Sequence, residues 1–517
     1  MIRSLMFWRA AVLALFLAAP VLFPVSARTS MCGGRVLLDH AGDGKHAPGL
    51  AGVMVSDGTR VVRTDAEGRY HGLSAEGVVF VIKPAGFALP PRADGLPGFW
   101  HAGCGDFALR PVDPAAELRV LVFADPQTAT AQEVGFYRDS IIAQAARESG
   151  MALGLSLGDI SNDDLSLYPA LNRATTSLGV PWLHVPGNHD MDLDAASDVH
   201  ALATFQQIYG PDTYAWEEAQ AIFIVLDNVV MRPGQRPNYT GGLREDQLAF
   251  LQAYLASAPR DRLLVVAAHI PWFARPDLDE PDPIRPADRE RLFALLQQFP
   301  QVLLLSGHRH TQQHVFHGPQ TGWQGAHPLH EYNVGAACGA FWSGVADAAG
   351  IPHSTMADGT PKGYATLVVG AKGDYSLAWH PVGLLPADDP GTTAAMRLHA
   401  PRVLRQGAFL WANLYANVFM GLDDSRVEYR IDGGHWQPMR KVNHPDPWLL
   451  AENARDAAAP ALRSREPAVE AMPSPHMWHG HLPTSLPTGE HVVEVRAFDR
   501  WQGEQRAQTR YRLDRWD

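Results

Sequence analysis

The sequence predicts an α/β chain built around a four-layer αββα sandwich, with a small all-β sandwich domain on either side of it. Three observations predict this. Between about 113 and 390, apolar strand-type runs alternate with stretches of helical periodicity, an order that places helices outside two inner sheets. Five of those runs stop abruptly in polar turns that carry Asp, Asn or His. On both flanks, short β-prone runs follow one another, separated by turn residues.

The chain's 517 residues exceed what one hydrophobic core usually organises, and 46% of them are hydrophobic, so two or three folded domains are expected. Lys and Arg number 43 and Asp and Glu 55, a formal charge of −12. Loss of the first segment, which holds Arg3 and Arg9 and no acid, makes it 41 − 55 = −14. A field of that sign disfavours duplex nucleic acid as a partner.

Residues 1–27 read as a secretory signal peptide. Arg3 and Arg9 precede the apolar run Ala10 to Ala19, and Val25-Ser26-Ala27 is a small-residue cleavage site. Pro20 and Pro24 interrupt a stretch already shorter than the roughly 20 residues of a span, so no stable membrane span is expected after processing. The expected location is periplasmic or secreted.

The N-terminal β-sandwich is expected over 28–112, with strands near Arg35–Leu38, Gly52–Ser56, Val61–Thr64 and Val78–Ile82. The turn Thr64-Asp65-Ala66-Glu67-Gly68-Arg69-Tyr70 resembles that of transthyretin-like or carboxypeptidase-regulatory-like modules. Cys32 and Cys104 bracket this domain; either they pair, leaving Cys338 as a free thiol, or they are small buried hydrophobes.

In the central domain, 113–390, the 3.6-residue period predicts helices over Glu133–Ser149, Leu243–Leu255 and Arg289–Phe299. Strands are predicted at Gln313–Phe316, Glu331–Val334, Tyr364–Val369 and Asp374–Trp379. A Pro, Asp, Gly and Thr-rich linker, Pro386 to Thr393, precedes the C-terminal β-sandwich domain, 395–517. That domain shows strand signals at Phe409–Tyr415, Arg426–Ile431 and His491–Phe498, and 451–475 reads as an Ala, Pro and Glu-rich loop.

The chemistry sits in the five strand ends. They read Asp125-Pro126-Gln127, Gly158-Asp159, Gly187-Asn188-His189-Asp190, His269-Ile270-Pro271 and Gly307-His308-Arg309-His310. Loops after strands converge at one rim of an α/β sheet, and mixed oxygen and imidazole donors suit divalent or trivalent Mn, Fe or Zn better than a thiolate site does. In that order the motifs resemble the calcineurin-like metallophosphoesterase superfamily, across roughly half the chain. The flanking modules, with Asp358-Gly359-Thr360-Pro361-Lys362-Gly363-Tyr364, resemble its exported bacterial members that carry extra N- and C-terminal β-domains.

The resemblance implies that Asp159 bridges two metal ions. Asp125 and His310 would hold the first; Asn188, His269 and His308 would hold the second. It further implies that a bridging hydroxide attacks phosphorus in line and that His189 donates a proton to the leaving oxygen. Asp163 or Asp190 would orient that imidazole. The first motif departs from the commoner Asp-x-His. Gln127 either ligates the first metal directly, as a weaker and harder donor that tilts the site toward Mn, Fe or Mg, or touches only its water. Arg309 is a candidate phosphate clamp or a solvated side chain.

His184, His314, His317, His327 and His330 stand outside the motif, and Cys338-Gly339-Ala340-Phe341-Trp342-Ser343-Gly344 is either a pocket wall or a packed loop. The expected activity is that of a phosphoric ester hydrolase on a small-molecule or surface phosphoester, a phosphomonoesterase first and a phosphodiesterase second. The reading from another class is a non-catalytic surface-binding protein with a relic phosphoesterase domain.

Overall fold

The strands Leu153–Leu157, Ala221–Val225, Leu263–Ala267 and Val302–Ser306 are buried along their whole length. An uninterrupted apolar strand needs cover on both faces, which parallel sheets under helices provide. The computed structural model describes residues 30–39, 47–274, 281–383, 390–408 and 412–515. The predicted signal peptide and the strand start at Phe409 fall outside the described residues, and the linker Pro386–Thr393 is described only from Pro390.

Two sheets face each other in the centre. The first runs, in order, Trp182–Val185, Leu153–Leu157, Leu118–Phe123, Gly363–Val369, Tyr375–Pro381; the first three are parallel and the last two join antiparallel. The second runs Tyr214–Glu217, Ala221–Val225, Leu263–Ala267, Val302–Ser306, Leu329–Asn333, Gln313–His317, parallel in the middle and antiparallel at both edges. The central architecture is the helix and strand sandwich that the alternation predicts.

The helices differ from the periodicity at their ends. The first runs from Ala131 to Ala145, with Tyr137–Ile142 π-wound. It stops short of Ser149 because Arg147 and Glu148 donate to Gln144 and Ala145 at 3.0 Å, three residues back, which tightens and ends the winding. The second spans Glu245–Leu255, where Gln247 Oε1 accepts the Arg244 N–H at 2.8 Å. The third starts at Pro286, before the predicted Arg289, since proline is at home in a first turn.

The N-terminal domain is two four-stranded sheets tied by the Cys32–Cys104 disulfide. Its core is continuous with the central one: Phe80 meets Phe250 edge-on at 5.8 Å, Phe99 meets Tyr214 at 4.9 Å, and buried Lys83 pairs with Glu218 at 2.6 Å. The C-terminal domain has four- and five-stranded sheets around a separate core.

One sequence reading is corrected there. The stretch 451–475 is not all loop, because helix Pro447–Ala458 covers its first part. Asp446 caps that helix by accepting from the N–H groups of Trp448 and Leu449, and Pro447 opens it. Strands Pro473–Leu482 and Gly503–Asp514 also went unread.

The segment Asp358–Tyr364 is a junction between domains. Buried Asp358 accepts the Gln312 N–H at 2.7 Å and pairs with His476 at 3.1 Å, while Asn417 donates to the Asp358 carbonyl at 2.9 Å.

Candidate metal centre

Three of the five strand ends, those at Asp125, Asp159 and His308, turn sharply before they present their polar side chains. Asp125, Gln127, Asp159, Asp163, His308 and His310 all have positive φ, between 39° and 73°. Outside glycine that conformation costs about 1–3 kcal/mol per residue and persists where the surroundings dictate it. Among the described residues only ten non-glycine positions adopt it, and nine of them lie here or in the strap around Phe341, Trp342 and Ser354.

Close packing leaves no room for side chains next to the donors. A Cβ on Gly187 would lie 2.2 Å from Asp159 Oδ1, and one on Gly307 would lie 2.7 Å from Asp125 Oδ2. The backbone must be bare at these points for the donors to meet.

They do meet. His269 Nε2 lies 3.2 Å from Asp159 Oδ2, 3.1 Å from Asn188 Oδ1 and 3.1 Å from His308 Nδ1. The ligand-type atoms of Asp159, His269 and His308 all lie within 4.8 Å of one another. Beside them, Asp125 accepts the His308 N–H at 3.0 and 3.1 Å and lies 3.6 Å from His310 Nε2.

The outer imidazole nitrogens fix the tautomers. His269 Nδ1 donates to the Leu157 carbonyl at 2.8 Å, and His310 Nδ1 donates to the Gly339 carbonyl at 2.8 Å. His310 therefore presents its Nε2 lone pair inward, and His269 does the same once its Nε2 gives up its proton, the arrangement second partners impose on metal-binding histidines.

Electrostatics say the same. Burial pushes the Asp125 carboxyl up to about 8, with the Asp159 charge adding to it. Burial also disfavours the Asp159 carboxylate, but the imidazoles of His269, His189 and His308 outweigh it and hold its pKa well below the usual range. Burial opposes charge on His269 as well, and Asp159 overcomes it to raise that imidazole to about 9. His308 and His310 are lowered by burial to about 3 and about 4. A pocket that retains a proton on one of three inward imidazoles is a pocket that calls for positive charge. Its carboxylate, amide and imidazole donors fit borderline to hard divalent ions.

His189 lies at the edge, its side chain 30% exposed. Its N–H donates to Asp159 Oδ1 at 2.9 Å, and its Nδ1 lies 2.8 Å from Asp163 Oδ1. Of the two acids considered as its partner, Asp163 is the one in contact. Asp190 is fully buried and instead knots the loops together, accepting from the N–H groups of Ile160, Ser161 and Gly187 and from the Tyr168 hydroxyl.

Gln127 is buried; its Nε2 is 3.5 Å from Asn162 Oδ1, and its Oε1 is 3.9 Å from the Cys338 thiol. Arg309 turns toward the loop after His269, donating to the Phe273 carbonyl at 3.0 Å and covering that ring at 5.1 Å. The remaining histidines pack elsewhere. His184 stacks on Tyr209 at 4.1 Å, His314 on Tyr332 at 4.4 Å, His330 on Phe316 at 4.6 Å, and His317 pairs with Glu331 at 2.6 Å. His327 gives its carbonyl to the Trp323 indole at 2.7 Å.

Two neighbours escaped sequence reasoning or were left open by it. Tyr239 stands edge-on to His308 at 6.0 Å, and no motif announces it. The strap Ala336–Trp342 is bolted to the first strand end by Ala337 and Cys338 N–H bonds to Ala124 and Asp125 and by the Trp342 indole on the Pro126 carbonyl. Phe341 of that strap, 49% exposed, lies over His310 at 4.7 Å.

Three families match successive parts of the chain. Residues 118–312 match the family described as Calcineurin-like phosphoesterase. Residues 42–105 and 331–505 match the families described as the N terminal and the C terminal of Calcineurin-like phosphoesterase. No curated protein matches the chain. Among solved structures, a purple acid phosphatase from yellow lupin (Lupinus luteus) seeds is similar at 14% identity over 64% of this chain and 67% of that one, with a TM-score of 0.38.

Proposed function

We propose, from the premise that this chain is a metal-dependent hydrolase with a calcineurin-like phosphoesterase core between distinct N- and C-terminal domains, that it cleaves phosphoric esters at a two-ion centre. Asp125, His310 and Asp159 would hold one ion of Mn, Fe or Zn, and Asp159, Asn188, His269 and His308 the other. Gln127 lies beside the first. Paired ions supply positive charge for the phosphoryl oxygens and a nucleophilic water near neutral pH. The observation that carries the reading is the convergence of these buried donors with the His189–Asp163 pair at their rim.

The chain's own groups supply the rest. Asp163 takes His189 Nδ1, which leaves Nε2 as the nitrogen that gives a proton to the departing oxygen. Tyr239 against His308 and Phe341 against His310 place aromatic rings beside the imidazoles, and a monoester, with its single organic arm, is the first reading. A diester is the second reading, because the half-exposed Phe341 ring offers a platform for a second organic arm.

The test is metal content by elemental analysis beside hydrolysis of p-nitrophenyl phosphate and bis-p-nitrophenyl phosphate with added Mn. Faster turnover of the first supports the monoesterase; the reverse ratio supports the diesterase. Asp159→Ala is expected to lose both ions and activity together, and retention of one full ion equivalent would overturn the bridging role. Export to a periplasmic or extracellular location belongs to the same proposal. It is supported by the character of residues 1–27 and by the Cys32–Cys104 disulfide, a bond that persists in oxidising compartments. Amino-terminal sequencing of the mature protein checks it.

A further inference from the structure

The strap Ala336–Trp342 sends two neighbouring aromatic rings in opposite directions. Trp342 is 2% exposed, packs beside Phe136 at 6.1 Å and gives its indole N–H to the Pro126 carbonyl at 3.0 Å. Phe341 is 49% exposed and, among the described residues, its only ring contact is with His310, at 4.7 Å and 30°. Burial therefore explains the tryptophan and not the phenylalanine, whose apolar surface stays half in water.

The backbone works against both. Phe341 and Trp342 have φ of 55° and 54°, two left-handed residues in succession without a glycine. Such conformations persist only where the surroundings impose them, and they gather at functional sites. Here the constraint comes from Ser354, itself at φ 48°. Its hydroxyl accepts from the Ala340 and Ser343 N–H groups at 3.1 and 3.2 Å and donates to the Cys338 carbonyl at 2.5 Å. The Trp342 N–H closes the turn on that same carbonyl at 3.2 Å. A strained frame thus holds a half-exposed ring in one place.

A relay of contacts sets that ring on the same flank of the centre as His189. Cys338 of the strap lies 3.9 Å from Gln127 Oε1, and Gln127 Nε2 lies 3.5 Å from Asn162 Oδ1. The next residue, Asp163, donates its N–H to the His189 carbonyl at 3.2 Å and holds that ring's Nδ1 at 2.8 Å. An alcohol that leaves with the His189 proton departs on this flank. A phenyl face offers it no hydrogen bond and favours flat apolar surface, aromatic rings above all. We propose that Phe341 is a specificity-determining residue whose ring takes the departing alcohol of a phosphoester and selects aryl or other flat apolar alcohols over polyols. This rests on the phosphoester reading for the place of the phosphoryl group. In a monoester the arm on Phe341 is the only one; a diester lays one of its two there.

The test uses the full-length, Mn-loaded protein and two phosphonates that cannot be hydrolysed as esters, phenylphosphonate and methylphosphonate, titrated calorimetrically. The wild type is expected to prefer the phenyl compound, and Phe341→Ala to lower that preference about three- to tenfold, the worth of one aromatic contact. Phe341→Leu, which keeps apolar bulk without the flat ring, should lower it as well and carries the test if the alanine variant fails to fold. Phe341→Tyr, which keeps the ring, should retain it. The ratio of kcat/KM for phenyl phosphate over glycerol phosphate should fall in Phe341→Ala by the same factor, with metal content kept.

Wild-type protein that prefers phenylphosphonate yet hydrolyses no ester would sink the hydrolase reading and leave the recognition standing. Equal affinity of the wild type for the two phosphonates, a preference unchanged in Phe341→Ala and Phe341→Leu, or one lost equally in Phe341→Tyr would overturn the proposal while turnover persists. So would loss of one ion equivalent in Phe341→Ala, which would make the ring a cover for His310.

Discussion

His189 shows how much one side chain's surroundings decide. Its main-chain N–H is fixed on Asp159 and its Nδ1 on Asp163, so the ring is oriented from both ends while 30% of the side chain remains exposed. His189→Ala should keep metal content and lose about 10²–10⁴ in turnover, most on esters with poor leaving groups; parallel elemental analysis and kinetics on a leaving-group series check it. An emptied centre in that variant would move His189 from proton donor to structural residue.

Gln127 carries the sharper question. Gln127→His should raise metal affinity at the first position and shift selectivity toward Zn if the amide is a direct ligand, whereas unchanged metal content would leave it a partner of water only. The sequence makes His189 and Gln127 legible because each sits in a short motif joined to a strand end. It left Asp163 and Asp190 undecided, since both occupy turns and only the path of the loops reveals which carboxylate reaches the ring.

At the scale of elements, the centre is made by turns. Strands of four to six residues deliver the donors, and left-handed residues bend three of the five ends inward. The bare backbone at Gly187 is part of that device: Gly187→Ala brings a methyl group against the Asp159 carboxylate and should cost about 1–3 kcal/mol, as overpacking does. The expected result is a lower melting temperature together with weaker Mn uptake, measured by calorimetric titration.

Strand existence was readable from apolar runs such as Val302 to Ser306, because a buried parallel strand is a continuous hydrophobic word. The strap that holds Phe341 over His310 was open to two readings. It has no period, and its position depends on main-chain bonds from Ala337 and Cys338 to residues more than two hundred positions earlier. Helix Pro447–Ala458 was missed for another reason. Its cap and opening proline were present, but the Ala, Pro and Glu composition that follows resembles loop.

For the whole molecule, the sheets shelter neutral histidines. His184 is fully buried against Tyr209, and burial lowers its pKa to about 3 from an ordinary 6.5. Below pH 6.5 the unfolded chain takes up that proton before the folded one does, so stability falls as pH drops from 6.5 toward 3. His184→Phe should flatten this fall; the measurement is melting temperature against pH for both proteins, compared by slope. Among the described residues, no helix is long and apolar enough to cross a membrane.

The three-part division of the chain was legible from composition and turn spacing, yet the degree of attachment was not, because it lies in long-range contacts such as Phe80 on Phe250 and Lys83 on Glu218. Those contacts make the two flanking modules unequal. Cutting the chain after Pro111 would strip cover from apolar side chains of the hydrolase half and strand Glu218 without its cation. The C-terminal module has an interior of its own and is fastened to the enzyme along one seam, by Asp358 on His476 and Asn417 and by Phe419 and Met420 in the central core, whereas the first module shares its interior with the enzyme outright.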